Sequence, residues 1–136
     1  MHSDIPKQYM DLCGMPVVAW SLKAFQEFEP VDEIILVTAA EDIDYCRTDI
    51  IEKYRYDKVT RIIPGGTQRY LSVWEGLKAA GQILQDASAG SEAPAGSATS
   101  ANDPGSEPII FIHDGARPLI DQPTLVRALT CAQAHQ

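Results

Sequence analysis

Basic residues are scarce in this chain. Across 136 residues, 11 Lys and Arg stand against 19 Asp and Glu, a net charge of −8. That balance excludes non-specific nucleic-acid binding, which needs a basic footprint. It does not exclude a small anionic ligand, because a few local cations outweigh the global sign. Cysteine is equally thin. Cys13, Cys46 and Cys131 lie far apart, form no C-x-x-C pair and are odd in number. The simplest reading is a reduced, cytoplasmic protein whose thiols serve as small core residues. No apolar run approaches the length of a membrane span, and the N-terminus carries no signal-peptide core. There is no internal repeat.

What is present is ordinary for a soluble globular domain: 45% hydrophobic and 22% charged residues, in a length suited to one domain. Residues 1–16 have Pro and Gly punctuation and no period, which reads as an ordered loop. From Pro16, the residues Val17, Trp20, Ser21, Ala24 and Phe28 recur at helical spacing, flanked by Val18, Leu22 and Phe25, up to Pro30. Residues 31–38 read as a strand, 41–54 as a helix with Ile43, Cys46, Ile50 and Ile51 inward, and 59–63 as a second strand. A third helix follows Thr67-Gln68-Arg69 to about Gln85, with Val73, Leu77, Ala80 and Leu84 as its stripe and Trp74 at the flank. Residues 86–108 contain no large apolar side chain, so they read as a flexible insertion. The apolar run 109–112 reads as a strand buried on both faces. Asp121 is a plausible N-cap for a last helix, with Pro123 in its first turn. Strands alternating with helices imply an α/β domain with a mostly parallel sheet and right-handed crossovers.

Three groups carry candidate chemistry. Lys7 lies on a loop in Pro6-Lys7-Gln8-Tyr9. Gly65-Gly66-Thr67-Gln68-Arg69, with Ser72, stands between a strand and a helix, where backbone amides and a helix N-terminus suit an anion or a nucleobase edge. His113-Asp114-Gly115-Ala116-Arg117-Pro118 follows the last apolar run, at the carboxyl edge where open α/β sheets bind ligands. Asp114 suits a hard cation such as Mg²⁺ there. Gly115 permits close approach, and the Arg117 fork suits phosphate.

In this order, the stretches PKQYMDLCGMPVVAWSLKAF, GGTQRYLSVWEGLKAA and FIHDGARPLI resemble the 2-C-methyl-D-erythritol 4-phosphate cytidylyltransferases of the non-mevalonate isoprenoid pathway. The resemblance covers nearly the whole chain apart from 86–108. It implies a Rossmann-like nucleotidyltransferase fold, CTP as donor, a small sugar-alcohol phosphate as acceptor, Mg²⁺ as cofactor and pyrophosphate as product. By resemblance, Lys7 stabilises the transition state, and Gly66, Thr67 and Ser72 lie around cytosine and ribose. Asp114 and Arg117 face metal and acceptor, and Gly115 lies against the nucleotide. Ribitol-5-phosphate cytidylyltransferases share much of this pattern. From another class, a non-catalytic nucleotide-binding or interaction module keeping the middle of the fold is the alternative.

Measured against the family pattern, residues 1–136 hold no counterpart of its first strand and glycine-rich triphosphate loop. Nor do they hold its later strands and the arm that forms the family's homodimer. The reading is therefore a partial nucleotidyltransferase domain, with negligible turnover expected of these residues alone. The family's first strand lies between those matching 33–38 and 109–113, so its loss implies a gap in the sheet or exposed apolar surface. Within the chain, deleting most of 86–108 is expected to leave the unfolding midpoint nearly unchanged, because loop-closure entropy varies slowly with length. Protection of this segment against protease in the native protein would contradict that.

Overall fold

The computed structural model describes residues 5–89 and 107–135. The first surprise is local: residues 7–16 are more structured than an ordered loop. Lys7–Tyr9 forms a 3₁₀ turn. Asp11–Leu12 (β1) then pairs antiparallel with Met15–Pro16 (β2). The two-residue connection needs left-handed backbone at both positions, and Cys13 (φ 54°) and Gly14 (φ 88°) supply it. The Gly14 amide also donates to Asp11 Oδ1 at 3.0 Å. Cys13 is thus an exposed turn residue, and Cys131 is exposed as well; Cys46 alone of the three is buried. The expectation that all three thiols fill the core is corrected accordingly.

The helix after Pro16, α1, spans Val17–Gln26. It buries Val18, Ala19, Ser21 and Leu22, as the apolar stripe requires. The strands Ile34–Thr38 (β3) and Val59–Pro64 (β4) pair in parallel, with Leu36 opposite Ile62 and Thr38 opposite Pro64. The crossover between them departs from the expected single helix. Ala40–Asp42 is a 3₁₀ turn, Ile43–Tyr45 (α2) is α-helical, and Cys46–Glu52 widens into a π-helix. Cys46 and Ile50 within it are both fully buried. The crossover ends on Arg55 at φ 56°, with the Tyr56 amide reaching back to Ile51 O at 3.0 Å. That is the 6→1 closure of a helix C-terminus, made here without glycine.

Helix α3 covers Arg69–Ala89, so residues 86–89 belong to it and not to the expected insertion. Asp86 is held by an ion pair to Arg61 Nη2 at 3.6 Å, across to β4. Most of the remaining expected insertion lies outside the described residues. The larger correction concerns 109–112. These residues form no strand; among the described residues, the parallel sheet contains β3 and β4 only. Ile110 is 47% and Ile112 63% exposed, in place of burial on both faces. A strand exists only through a neighbour that completes its backbone hydrogen bonds, and no described strand flanks this one. The last helix, α4 (Gln122–Ala134), forms as expected, with Asp121 Oδ1 accepting the Thr124 amide at 2.9 Å.

The core is centred on Met15, Val18, Ala19, Leu22, Leu36, Cys46, Ile50 and Tyr56. Ala19 is fully buried, and the small side chain lets Tyr56 reach α1, where its hydroxyl donates to Ala19 O at 2.9 Å. Burial is the main cause that pushes the Tyr56 phenol up to about 12 from its ordinary 10.0, with charge on Tyr54 and Glu27 adding to it. The folded state therefore favours the protonated phenol. Its contribution is full below pH 10.0 and is lost as pH rises through about 12. Tyr56→Phe is expected to lower stability near neutrality by about 1 kcal/mol and to flatten the alkaline decline. Denaturant melts across this pH range check both; an unchanged alkaline slope would remove Tyr56 as its source.

Candidate functional site

Parallel strands place their carboxyl ends on one edge, and three loops meet there. The first is the Lys7–Tyr9 turn. Lys7 is exposed, and among the described residues its ammonium takes part in no ion pair. The turn is tied down through Tyr9, whose hydroxyl hydrogen-bonds Thr38 Oγ1 at the end of β3 and lies 3.4 Å from Cys46 Sγ. Burial, and then the bond to Cys46, raise the Tyr9 phenol well above its ordinary range, so it stays neutral.

The second loop follows β4. The Gly65 amide donates to Thr38 O at 2.7 Å, which continues the sheet by one bond past Pro64. The first turn of α3 then folds back over the glycines. A Cβ on Gly65 would stand 2.5 Å from Ser72 Oγ, and one on Gly66 2.3 Å from Leu71 Cβ. Both positions thus have a packing reason to be glycine. Thr67 is exposed, and half-buried Ser72 makes a long 3.5 Å bond to Gln68 O. The Ser72 hydroxyl lies against the Gly65 turn with only this long bond to hold it.

The third loop is the turn from His113 to Arg117. The Arg117 amide donates to Asp114 O at 3.0 Å, and the Ala116 amide to Asp114 Oδ1 at 3.0 Å. His113 Nε2 lies 2.9 Å from Arg117 O, with its ring 5.3 Å from that of Phe25. Gly115 packs on α1, where an added Cβ would meet Val18 Cγ2 at 3.3 Å. Ser21, buried on α1, donates toward Gly115 O at 3.2 Å and Arg117 O at 3.1 Å. The turn is therefore held from below by a helix even though 109–112 lacks strand partners.

Asp114 joins the second and third loops. Its Oδ2 lies 3.4 Å from Arg69 Nη1 and 3.7 Å from Arg117 Nε. Two guanidinium groups thus converge on one half-buried carboxylate in a chain of strongly negative net charge. No described group of three or more His, Cys, Asp and Glu is placed to hold a metal by itself. Asp114 nevertheless fits Mg²⁺ in the form that ion usually takes with nucleotides, where one carboxylate suffices and phosphates and water complete the shell. No hydrogen bond or ion pair among the described residues links Lys7 directly to Asp114 or Arg117; the connection runs through Tyr9, Thr38 and Gly65. Sequence reasoning missed Ser21 and Thr38 as site residues, and it placed Arg69 in the glycine loop without its pairing to Asp114. The available signal for Ser21 was a hydroxyl inside an apolar helical stripe. For Thr38 it was the one polar residue closing an apolar strand.

A parallel α/β unit with a glycine turn, a lysine turn and an acid–arginine turn gathered at its carboxyl edge has the arrangement of a Rossmann-like domain, whose ligand crevice lies at that edge. Comparison with known proteins specifies it further. The family model for 2-C-methyl-D-erythritol 4-phosphate cytidylyltransferase matches residues 1–88. A protein of that name from Lachnospira eligens is 47% identical over 122 residues, which is 90% of this chain and 43% of the relative. One from Caldanaerobacter subterraneus is 32% identical over 136 residues, 100% of this chain and 50% of the relative. The crystal structure of 4-diphosphocytidyl-2C-methyl-D-erythritol synthase from Anaerococcus prevotii aligns with a TM-score of 0.64 at 28% identity, covering 97% of this chain and 47% of that one. The chain belongs to the 2-C-methyl-D-erythritol 4-phosphate cytidylyltransferase family, and it spans about half the length of the relatives it matches.

Ser21→Ala is expected to lower stability by about 1 kcal/mol, because it removes the hydroxyl that bonds the Gly115 and Arg117 carbonyls from a buried position on α1. The loss should be accompanied by amide signal changes at residues 114–117 in NMR spectra. A variant with wild-type stability and an unperturbed turn would show that α1 does not hold this loop.

Proposed function

We propose that this chain carries the catalytic edge of a cytidylyltransferase. The reaction is transfer of CMP from CTP to 2-C-methyl-D-erythritol 4-phosphate, with release of pyrophosphate, in isoprenoid precursor synthesis. The observation that carries the reading is the convergence of the Lys7, Gly65–Arg69 and Asp114–Arg117 loops on one carboxyl edge, joined by the Tyr9–Thr38–Gly65 contacts and the Arg69–Asp114 ion pair. The names of the relatives favour methylerythritol phosphate over ribitol phosphate as acceptor.

In this reading a phosphate oxygen of the acceptor attacks the α-phosphorus of CTP, and the bond to the pyrophosphate oxygen breaks. Charge grows on the equatorial oxygens of the α-phosphoryl group, and a fixed ammonium at Lys7 stabilises it more in the transition state than in the ground state. Gly66, Thr67 and Ser72 form the surface for cytosine and ribose, and Gly115 lies beside the nucleotide. Arg117 faces the acceptor. Asp114 is the residue that would hold Mg²⁺, which supplies charge neutralisation along the polyphosphate. No covalent nucleophile is needed, since positioning and charge stabilisation drive such transfers. We place the reaction in the cytoplasm, with soluble substrates and the homodimer of the family as its assembly. No described helix is long and apolar enough to cross a membrane.

In the protein that carries this chain, Lys7→Ala should depress kcat by about 10²–10³-fold, with a smaller change in the KM for CTP. Lys7→Arg should restore activity only in part, because a planar fork does not occupy the position of an ammonium. Pyrophosphate release measured with methylerythritol phosphate and with ribitol phosphate separates the two acceptors. A kcat within about twofold of wild type for Lys7→Ala would end the catalytic assignment and favour a non-catalytic nucleotide-binding module.

A further inference from the structure

Thr38 is the last residue of β3, and its two polar groups serve two different loops. Its carbonyl accepts the Gly65 amide at 2.7 Å, while its hydroxyl is bonded to the Tyr9 phenol. Tyr9 ends the three-residue turn that Lys7 begins. That turn buries none of its residues. Its internal closure consists of the Tyr9 amide to Pro6 O at 2.9 Å and the Met10 amide to Lys7 O at 3.3 Å. A turn this short has little to hold it in place by itself. Just past the turn, the Val17 amide at the start of α1 donates to Met10 O at 3.0 Å. The turn itself is anchored to the end of β3 by the Tyr9 side chain, which packs edge-on against Tyr45 at 5.2 Å and 83° and ends on Thr38 and Cys46. Nothing about β3 as a strand demands a hydroxyl there: valine has the same branched shape and the same strand preference.

We propose that Thr38 is a positioning residue that sets the Lys7 ammonium relative to the Gly65-Gly66 turn, acting through the hydroxyl of Tyr9. This rests on the catalytic reading of Lys7 given above. One residue thereby gauges the spacing of the lysine loop and the nucleotide loop. Its main chain fixes the second loop and its side chain the first, so the two move together with the end of β3. Because the half-buried phenol remains protonated, the link persists through neutral pH.

The test uses the full chain with Thr38→Val, Thr38→Ser and Tyr9→Phe. Thr38→Val keeps the carbonyl for Gly65 and the shape of the strand, and loses only the hydroxyl. Heteronuclear ¹⁵N NOE values of Lys7, Gln8 and Tyr9 are expected to fall toward those of a mobile loop in Thr38→Val and in Tyr9→Phe. Those of Gly65 should hold, and Thr38→Ser should restore the turn. In the protein that carries this chain, Thr38→Val should lower kcat about tenfold while the KM for CTP stays within about twofold, as expected of a misplaced group acting on the chemical step. If Thr38→Val does not fold, Tyr9→Phe removes this contact together with the one to Cys46, and an ordered turn in that variant overturns the proposal. An ordered Lys7 turn in the folded variants, or failure of serine to restore it, overturns the proposal. A neutral Lys7→Ala would instead defeat the catalytic reading, and the NOE values would still decide whether Thr38 holds the turn.

Discussion

Parallel strands cannot be joined by a tight turn, so the pairing of β3 with β4 obliges the chain to cross over the sheet and return. Most else follows from that obligation. The crossover lays Cys46 and Ile50 into the core against Leu36 and the apolar side of α1. It also brings both strand ends, Thr38 and Pro64, to the same edge. The Lys7 turn and the glycine turn are built onto that edge through a single threonine. A different register of one residue between β3 and β4 would separate them and turn the inward side chains outward.

Helix α1 is the second organiser. It packs its Val18–Leu22 face on the core, yet the same face carries Ser21, whose hydroxyl is used to hold the Gly115 and Arg117 carbonyls. Gln122 adds a bond to Ala24 O at 2.8 Å, so the start of α4 is docked on the same helix. The 113–118 turn is consequently fixed by contacts that are remote in sequence, even though the run leading into it has no strand partner among the described residues. Local order at the site does not require that the sheet reach it.

Charge is distributed to the same end. The chain is acidic as a whole, but Lys7, Arg69 at the start of α3, and Arg117 gather at the carboxyl edge, two of them around Asp114. Such a local reversal of sign is too small for a nucleic-acid backbone, which would need a broad basic face. The Arg69–Asp114 pair is largely exposed on the arginine side, so it ties two loops together with little energetic penalty for opening.

Periodicity and punctuation were enough to read α1, β3, β4, α3 and α4, because each has an apolar pattern whose period is set by its own backbone geometry. The three motifs, and the family they resemble, were legible for the same reason: they are short, ordered strings of chemically distinctive residues. Three features were decided only by tertiary structure. Residues 109–112 carry the composition of a buried strand, but strand formation depends on a neighbour that composition cannot supply. The burial of Cys46 and Ile50 was legible from their helical spacing, but the π-helical widening of Cys46–Glu52 that carries them was not, because the apolar period does not distinguish the two helix types. The hydroxyls of Ser21 and Thr38 look unremarkable in sequence, because their partners lie 94 residues away for Ser21 and 29 for Thr38. Sequence determines which groups are available and the period on which they repeat; which of them meet is set by how helices and strands pack, since only packing closes distances of that length.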